Sequence, residues 1–230
     1  VRETSGEKSS SERILGTWLK DRGIADSVTI LTKVSTGSAP DNIENALTAS
    51  LERLQLDSVP IYMVHSYDDQ VPLDETLDAL NQEVSRGRAQ AIGCSNFTGT
   101  QLRKALSLSA EKSYARFEIV ENIYNLARPE EEHDSMLLCK EEEIAFLAYS
   151  PLGAGFLSGK YTNDRGLLPD RTRFHVIPGH CDVYFSERNF RVVEKLRAKA
   201  TSIGESMVYL AASWVLANQS VSSTLFGART

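Results

Sequence analysis

Cysteine is scarce and scattered in this sequence. There are three, Cys94, Cys139 and Cys181, with no CxxC pair and no metal-ligand spacing. An odd, dispersed set gives neither a disulfide framework nor a zinc site, so reduced thiols, no bound metal and a cytoplasmic location are expected. Long apolar runs are also lacking: none approaches the roughly 20 residues a membrane helix needs. The start, Val1 to Glu12, is polar and holds no apolar stretch, which does not fit a signal peptide. Positive charge is in deficit, with 25 Lys and Arg against 31 Asp and Glu and a net charge of −6. That balance argues against a nucleic-acid partner and against a polybasic membrane patch. No GxGxxG follows the first β-branched run, which weakens a Rossmann reading.

What is present is a regular alternation. Ser11 to Arg22 carries Ile14, Leu15, Trp18 and Leu19 at helical spacing, with Ser11 as a cap and Gly23 as the stop. Further helices are predicted over Asp41–Leu54, Leu73–Val84, Thr100–Leu108, Glu130–Lys140, Ser186–Ser202 and Glu205–Ala217. Between them lie short strand-like runs: Val28–Thr32, Val59–Val64, Gln90–Cys94, Arg116–Val120, Ile144–Ala148 and Ser222–Phe226. A long connection runs from Gly153 to about Asp182. Strands alternating with helices imply βαβ units and a parallel sheet. The choice is between an open doubly wound sheet and a (β/α) barrel.

Polar residues at the strand ends favour the barrel. Lys33, His65, Ser95 with Asn96, Asn122, and Tyr149 with Ser150 each follow a strand-like run. In (β/α) barrels the C-terminal strand ends converge on one active site, whereas an open sheet gathers its ligand at one switch point. A complete barrel needs eight strands and about 250 residues; here 230 residues show six strands. An incomplete TIM barrel, one domain over residues 1–230, is expected, with two strands before Val1 and a last helix after Thr230 wanting.

Several short segments carry a family resemblance. They are Ser11-Glu12 with Leu15-Gly16, Thr32-Lys33, Val64-His65, Ile92-Gly93-Cys94-Ser95-Asn96-Phe97 and Tyr124-Asn125-Leu126. Tyr149-Ser150-Pro151-Leu152-Gly153 with Gly155, Gly159-Lys160-Tyr161 and Gly227-Ala228-Arg229-Thr230 complete the set. Taken in this order, the chain resembles the aldo-keto reductases. The resemblance implies a (β/α)8 barrel and reversible hydride transfer between NADP(H), with NAD(H) not excluded, and a small carbonyl or alcohol substrate.

It also implies site residues. The family uses an Asp, a Tyr, a Lys and a His; Lys33 matches the lysine and His65 the histidine. The chemistry explains the types: hydride arriving at a carbonyl carbon leaves negative charge on oxygen, which a proton donor and fixed positive charge must meet. For the cofactor, Ser95 and Asn96 match residues holding the nicotinamide carboxamide, and Tyr149 matches the aromatic stacked on its ring. Ser150, Leu152 and Gly153 match the loop along the pyrophosphate. Gly227 and Arg229 open the segment reaching the adenosine phosphate. Glu121 stands where the family usually has Gln beside the carboxamide, and a Glu offers no N–H2 donor.

The first residues depart from the pattern. Glu3-Thr4-Ser5 stands as a remnant of Asp-Thr-Ala, Lys8 or a neighbour falls about where the tyrosine belongs, and no tyrosine precedes Tyr62. The resemblance therefore leaves turnover of the chain as given in doubt. Alternatives to the reductase are a non-catalytic cofactor-binding or scaffold member and an inactive fragment. Arg171, Arg173, Phe174, His175 and His180 in the long connection are expected to shape a substrate entrance.

Overall fold

Ile43, Leu47 and Leu54 share one stripe of a helix and are all but completely buried. On a 3.6-residue period such a stripe must lie against apolar partners, and each buried side chain contributes about 1.5–3 kcal/mol. The partners are strands. The structure, a computed structural model, describes residues 10–227. Among these residues nine α-helices accompany six parallel strands, hydrogen-bonded in chain order β1-β2-β3-β4-β5-β6. The strands are β1 (Leu31–Val34), β2 (Val59–Val64), β3 (Ala89–Ser95), β4 (Phe117–Ile123), β5 (Ala145–Tyr149) and β6 (Ser223–Thr224). The helices are α1 (Ser10–Arg22), α2 (Pro40–Leu54), α3 (Leu73–Ser85), α4 (Gly99–Lys112), α5 (Ser135–Glu141), α6 (Arg173–Val176), α7 (His180–Tyr184), α8 (Glu187–Ile203) and α9 (Met207–Ala217).

The chain divides into two compact units: one reaches to Glu121 and includes Glu141–Ile144, the other takes Asn122–Lys140 and the chain from Ala145 on. In the first unit, side-chain alternation assigns the two faces of the sheet. Tyr62 donates its hydroxyl to the Ile43 carbonyl of α2, and Thr32 donates to Glu12 of α1. Even-numbered residues of β1 and β2 therefore face the helices. Lys33 and Met63, register partners, face the other way. His65 continues that face, one residue past β2. The pairing runs on through Met63↔Gly93, Gly93↔Ile119 and Ser95↔Glu121.

Curvature follows from one contact. Strands lie about 4.8 Å apart, so a flat sheet would separate β1 from β4 by about 14 Å. Yet Lys33 of β1 and Glu121 of β4 form an ion pair. These four strands therefore curl around the face that bears the two side chains. Gly93 sits where the curl is tight: a Cβ there would lie 2.5 Å from the Ile119 carbonyl oxygen and 3.1 Å from Met63 Cε. The β3–β4 register shifts at this point, between Ile92 and Gly93.

In the second unit the connection after β5 is not an open loop. Phe156, Leu157, Tyr161, Phe174, Cys181 and Tyr184 share one buried cluster with residues of α8 and α9. Phe174 stacks on Tyr161 with ring centroids 4.3 Å apart.

Four expectations are corrected. The first strand begins three residues later than predicted, because its ladder starts where β2 offers partners, at Leu31↔Ile61; Lys33 lies inside it. Ser11 lies within the first turn of α1, since Ser10 is already helical. The predicted helix over Glu130–Lys140 breaks at Asp134 (φ −129°, ψ −109°) into a short 3-10 turn and α5. There Glu131 accepts hydrogen bonds from Ser135 and from Asn122 at the end of β4, which ties the 3-10 turn to the strand. Phe174 has no exposed surface and cannot line a substrate entrance.

Candidate active site

The first unit gathers Lys33, His65, Ser95, Asn96 and Glu121 around the C-terminal ends of its strands. The β2 end is set by the His65 N–H, which donates to the Val34 carbonyl at 3.1 Å. The β3 end is set by a capping box at α4. Thr98 Oγ1 accepts from the Gln101 N–H, and Gln101 Oε1 accepts from the Thr98 N–H. Phe97 is buried and packs edge-on against Phe117 and Tyr67. Pinned on both sides, Asn96 holds a left-handed backbone (φ 57°), a conformation Asn tolerates better than most residues. Its side-chain amide donates to the His65 carbonyl at 2.8 Å and to Ser95 Oγ at 3.1 Å. Ser95 Oγ in turn donates to the Glu121 carbonyl at 2.7 Å. These bonds lock the ends of β2, β3 and β4 together.

Lys33 and Glu121 form the charged centre. The Lys33 side chain is 18% exposed and that of Glu121 5%, so the pair is largely removed from water. Glu121 Oε1 takes the ammonium, while Oε2 is buried and has no hydrogen-bond partner among the described residues. An unsatisfied buried carboxylate oxygen is costly, on the order of 1–3 kcal/mol. His65 is exposed but close to this pair. Desolvation pushes its pKa down; the Lys33 ammonium acts in the same sense, and the Glu121 carboxylate opposes both. A neutral imidazole at pH 7 keeps one N–H donor and one acceptor nitrogen.

Beside His65 lies a cleft of about 240 Å³ whose walls include Ser35, Ser38, Tyr67 and Asp68. Asp68 shapes it by accepting from the backbone N–H groups of Ser38 and Gln70. Thr76 ties the same turn through the Ser38 carbonyl. Sequence reasoning missed these cleft residues. The strand-end rule that singled out Lys33 and His65 would have found them if carried a few residues into each following loop.

The second unit holds the other predicted residues. Tyr149 ends β5, half-buried, on the face opposite to Phe146, which packs against Tyr124. Ser150 has a left-handed backbone (φ 56°), and its carbonyl accepts from Asn125 Nδ2 at 2.9 Å. Gly153, Ala154 and Gly155 are three successive left-handed residues. The N–H groups of Gly153 and Gly155 are spent on turns to the Ser150 and Leu152 carbonyls. Lys160 lies beside this loop: a Cβ on Gly155 would come within 3.0 Å of Lys160 Nζ, which sits over the Tyr161 ring. Gly227 is exposed at the end of the described chain. Arg229, Glu3-Thr4-Ser5 and Lys8 lie outside the described residues.

Burial also accounts for the cysteines. All three are buried and none forms a disulfide; burial pushes the Cys139 thiol up to about 12, so it is inert at neutral pH. No helix among the described residues is long and apolar enough to cross a membrane.

Comparison with known proteins bears on the family. The model of the aldo/keto reductase family matches residues 7–230. The chain is 28% identical to the NADP(+)-labelled aldo-keto reductase yakc of Schizosaccharomyces pombe, over 90% of this chain and 63% of that protein. It is 29% identical to the aldo-keto reductase YhdN of Bacillus subtilis, over 95% of this chain and 67% of that protein. It is also 29% identical to a probable voltage-gated potassium channel subunit beta of Oryza sativa, over 95% of this chain and 70% of that protein. The chain thus spans about two thirds of the length of these relatives, and its α/β fold, with six parallel strands and their helices, is consistent with part of a (β/α)8 barrel. On the family match over almost its whole length, this chain belongs to the aldo/keto reductase family.

Proposed function

We propose that this chain serves a nicotinamide-dependent oxidoreductase that interconverts a small carbonyl and its alcohol, with NADP(H) as the preferred cofactor. The observation that carries the reading is geometric: Lys33, His65 and Glu121 lie at the C-terminal ends of β1, β2 and β4 of one sheet, with Lys33 and Glu121 in an ion pair. Bound cofactor would supply the hydride. His65 would donate its N–H to the carbonyl oxygen and orient it. The Lys33 ammonium would oppose the negative charge that grows there. The donor set of the first unit fits the cofactor: Glu121 Oε2, without a hydrogen-bond partner among the described residues, is an acceptor to which a carboxamide N–H2 can donate. The S. pombe relative, an NADP(+)-labelled aldo-keto reductase, supports NADP over NAD. A cytoplasmic location and the lack of nucleic-acid or membrane partners remain part of the proposal.

A second reading is favoured by the Lys33–Glu121 pair itself. A lysine whose charge is held by a carboxylate is a weaker stabiliser of oxyanion charge. One relative is named as a probable channel subunit rather than as a reductase. In this reading the fold binds cofactor and turns over slowly.

NADPH oxidation against a panel of aldehydes and quinones separates the two. Turnover that His65→Ala lowers about 10²-fold or more supports the reductase. Tight NADPH binding without turnover supports the second reading, and turnover indifferent to His65→Ala removes the site assignment.

A further inference from the structure

Tyr124-Asn125-Leu126 follows β4 and holds a side chain that the proposed function leaves unused. Asn125 has no exposed surface, and all of its polar groups are engaged. Its backbone N–H and carbonyl pair with Arg128 at 3.3 and 2.8 Å. Oδ1 accepts from the Ala127 N–H at 3.0 Å. Nδ2 donates to the Ser150 carbonyl at 2.9 Å and to the Tyr184 hydroxyl at 3.4 Å. The amide donors thus converge on the corner that follows β5. Ser150 is a non-glycine residue with φ 56° there, a conformation that costs energy and persists only where the surroundings impose it. Three hydrogen bonds do so. The Tyr124 N–H donates to the Tyr149 carbonyl at 3.3 Å, the Asn125 amide to the Ser150 carbonyl, and the Gly153 N–H to that same carbonyl at 2.8 Å. The Tyr184 ring closes the other side: a Cβ on Gly153 would lie 3.0 Å from its Cε1. The C-terminal ends of parallel strands are where (β/α) folds present their ligand-binding groups, which argues that a shape imposed there serves binding as well as packing.

We propose that Asn125 is a positioning residue, whose side-chain amide holds the Tyr149–Ser150 corner in the shape that receives the nicotinamide end of the cofactor. This rests on the nicotinamide reading for the identity of the ligand; the hold on the corner does not depend on it. Wholly buried, Asn125 acts through the Ser150 carbonyl. The donor is the part of the side chain that matters. A carboxylate of the same shape would still accept from the Ala127 N–H, but it would turn a lone pair on the Ser150 carbonyl and push the corner away. The contact with Tyr184 is longer and secondary, and its loss leaves the bond to Ser150 in place.

The test has two arms. In the first, amide hydrogen exchange is followed by NMR in the unliganded protein. Asn125→Asp is expected to speed exchange of the Gly153 N–H by roughly 10-fold, while the amides in the middle of α8 keep their parent rates. Exchange at Gly153 that ignores Asn125→Asp overturns the hold on the corner, and an equal acceleration in α8 reduces Asn125 to a general packing residue. If Asn125→Asp does not fold, Asn125→Ala, which removes the donor without burying a charge, takes its place. In the second arm, dissociation constants are measured for NADPH and for adenosine 2′,5′-bisphosphate, which lacks the nicotinamide. Asn125→Asp is expected to weaken NADPH by about 10-fold or more and to leave the bisphosphate within about 2-fold of the parent. Tyr184→Phe is expected to change neither by as much. Equal weakening of both ligands, or of neither, overturns the positioning role, as does a loss in Tyr184→Phe that matches the loss in Asn125→Asp. Failure of NADPH to bind the parent would overturn the nicotinamide reading, while the exchange arm would still decide what Asn125 holds.

Discussion

His65 shows how a single side chain reports its surroundings. It lies one residue past β2, with its backbone N–H fixed to β1 and its ring near a cation and an anion of unequal effect. Its pKa falls below the ordinary histidine value of about 6.5. Such a group binds its proton more weakly in the folded than in the unfolded chain. Its contribution to stability is therefore fully present above about pH 6.5, and is lost as pH falls through the lowered folded value. Urea unfolding at pH 7.5 and at pH 5.5 checks the sign. The parent should lose more stability on acidification than His65→Gln, whose side chain does not titrate. Equal losses would mean that the imidazole is not held in its neutral form. The exposure of His65 makes the expected difference small, since solvent screens exposed charges. The same residue marks what could be read in advance. Its type and place after a strand were legible, but the pairing of Lys33 with Glu121 joins residues 88 positions apart, and no local pattern encodes such a contact.

At the scale of elements, legibility followed periodicity. Helices α2, α3, α8 and α9 emerged within a few residues of their predicted bounds: α2, α3 and α8 have regular apolar spacing, and Ser186 and Ser206 cap α8 and α9. Elements ruled by tertiary hydrogen bonds were misread. The Glu131 contacts broke the helix around Asp134, and pairing with β2 moved the start of β1. The short last strand is a similar case. Only Ser223–Thr224 is regular, yet hydrogen bonds from the Ser222 and Leu225 N–H groups to Phe146 and Ala148 extend the match to β5. The segment from Gly153 to Asp182 has no regular period, and its order comes from aromatic stacking between residues distant in sequence. In β3, Gly93 is the element's weak point for substitution. Its missing Cβ leaves room for the Ile119 carbonyl oxygen of β4 at a separation no side chain permits. Gly93→Ala should cost about 1–3 kcal/mol in chemical denaturation, as overpacking does in well-packed cores. A substitution made without loss would show that β3 and β4 can separate locally, contrary to the tight curl inferred from the Lys33–Glu121 pair.

For the molecule as a whole, the fold question and the cofactor question meet in one measurement. A ligand that binds only the folded state stabilises it by mass action, by about 2.7 kcal/mol at a concentration of 100 Kd. For a chain of this size each kcal/mol raises the midpoint by about 2–4 °C, so saturating NADPH should raise Tm by roughly 5–10 °C. NADH should give a smaller shift if the additional phosphate of NADPH meets a cation on this chain. The two cofactors must be compared at equal concentration, because the shift depends on concentration as well as on affinity. Tryptophan emission gives an independent readout: Trp214 stacks on Tyr124 with ring centroids 4.8 Å apart, and Trp18 is partly exposed on α1. A rise in Tm with quenching would support cofactor binding by this chain, whether or not it turns over. A protein that melts cooperatively but is indifferent to millimolar NADPH would remove the cofactor from the proposal for this chain. Adding Glu121→Leu, which removes both carboxylate oxygens, to the same melt separates fold from ligand. By itself the change relieves a buried, half-satisfied carboxylate at the expense of the Lys33 counter-charge, so the unliganded Tm can move either way. The NADPH-induced shift should nevertheless shrink, because the bare acceptor has gone. A shift of undiminished size would place the cofactor's hydrogen-bond donor somewhere other than Glu121.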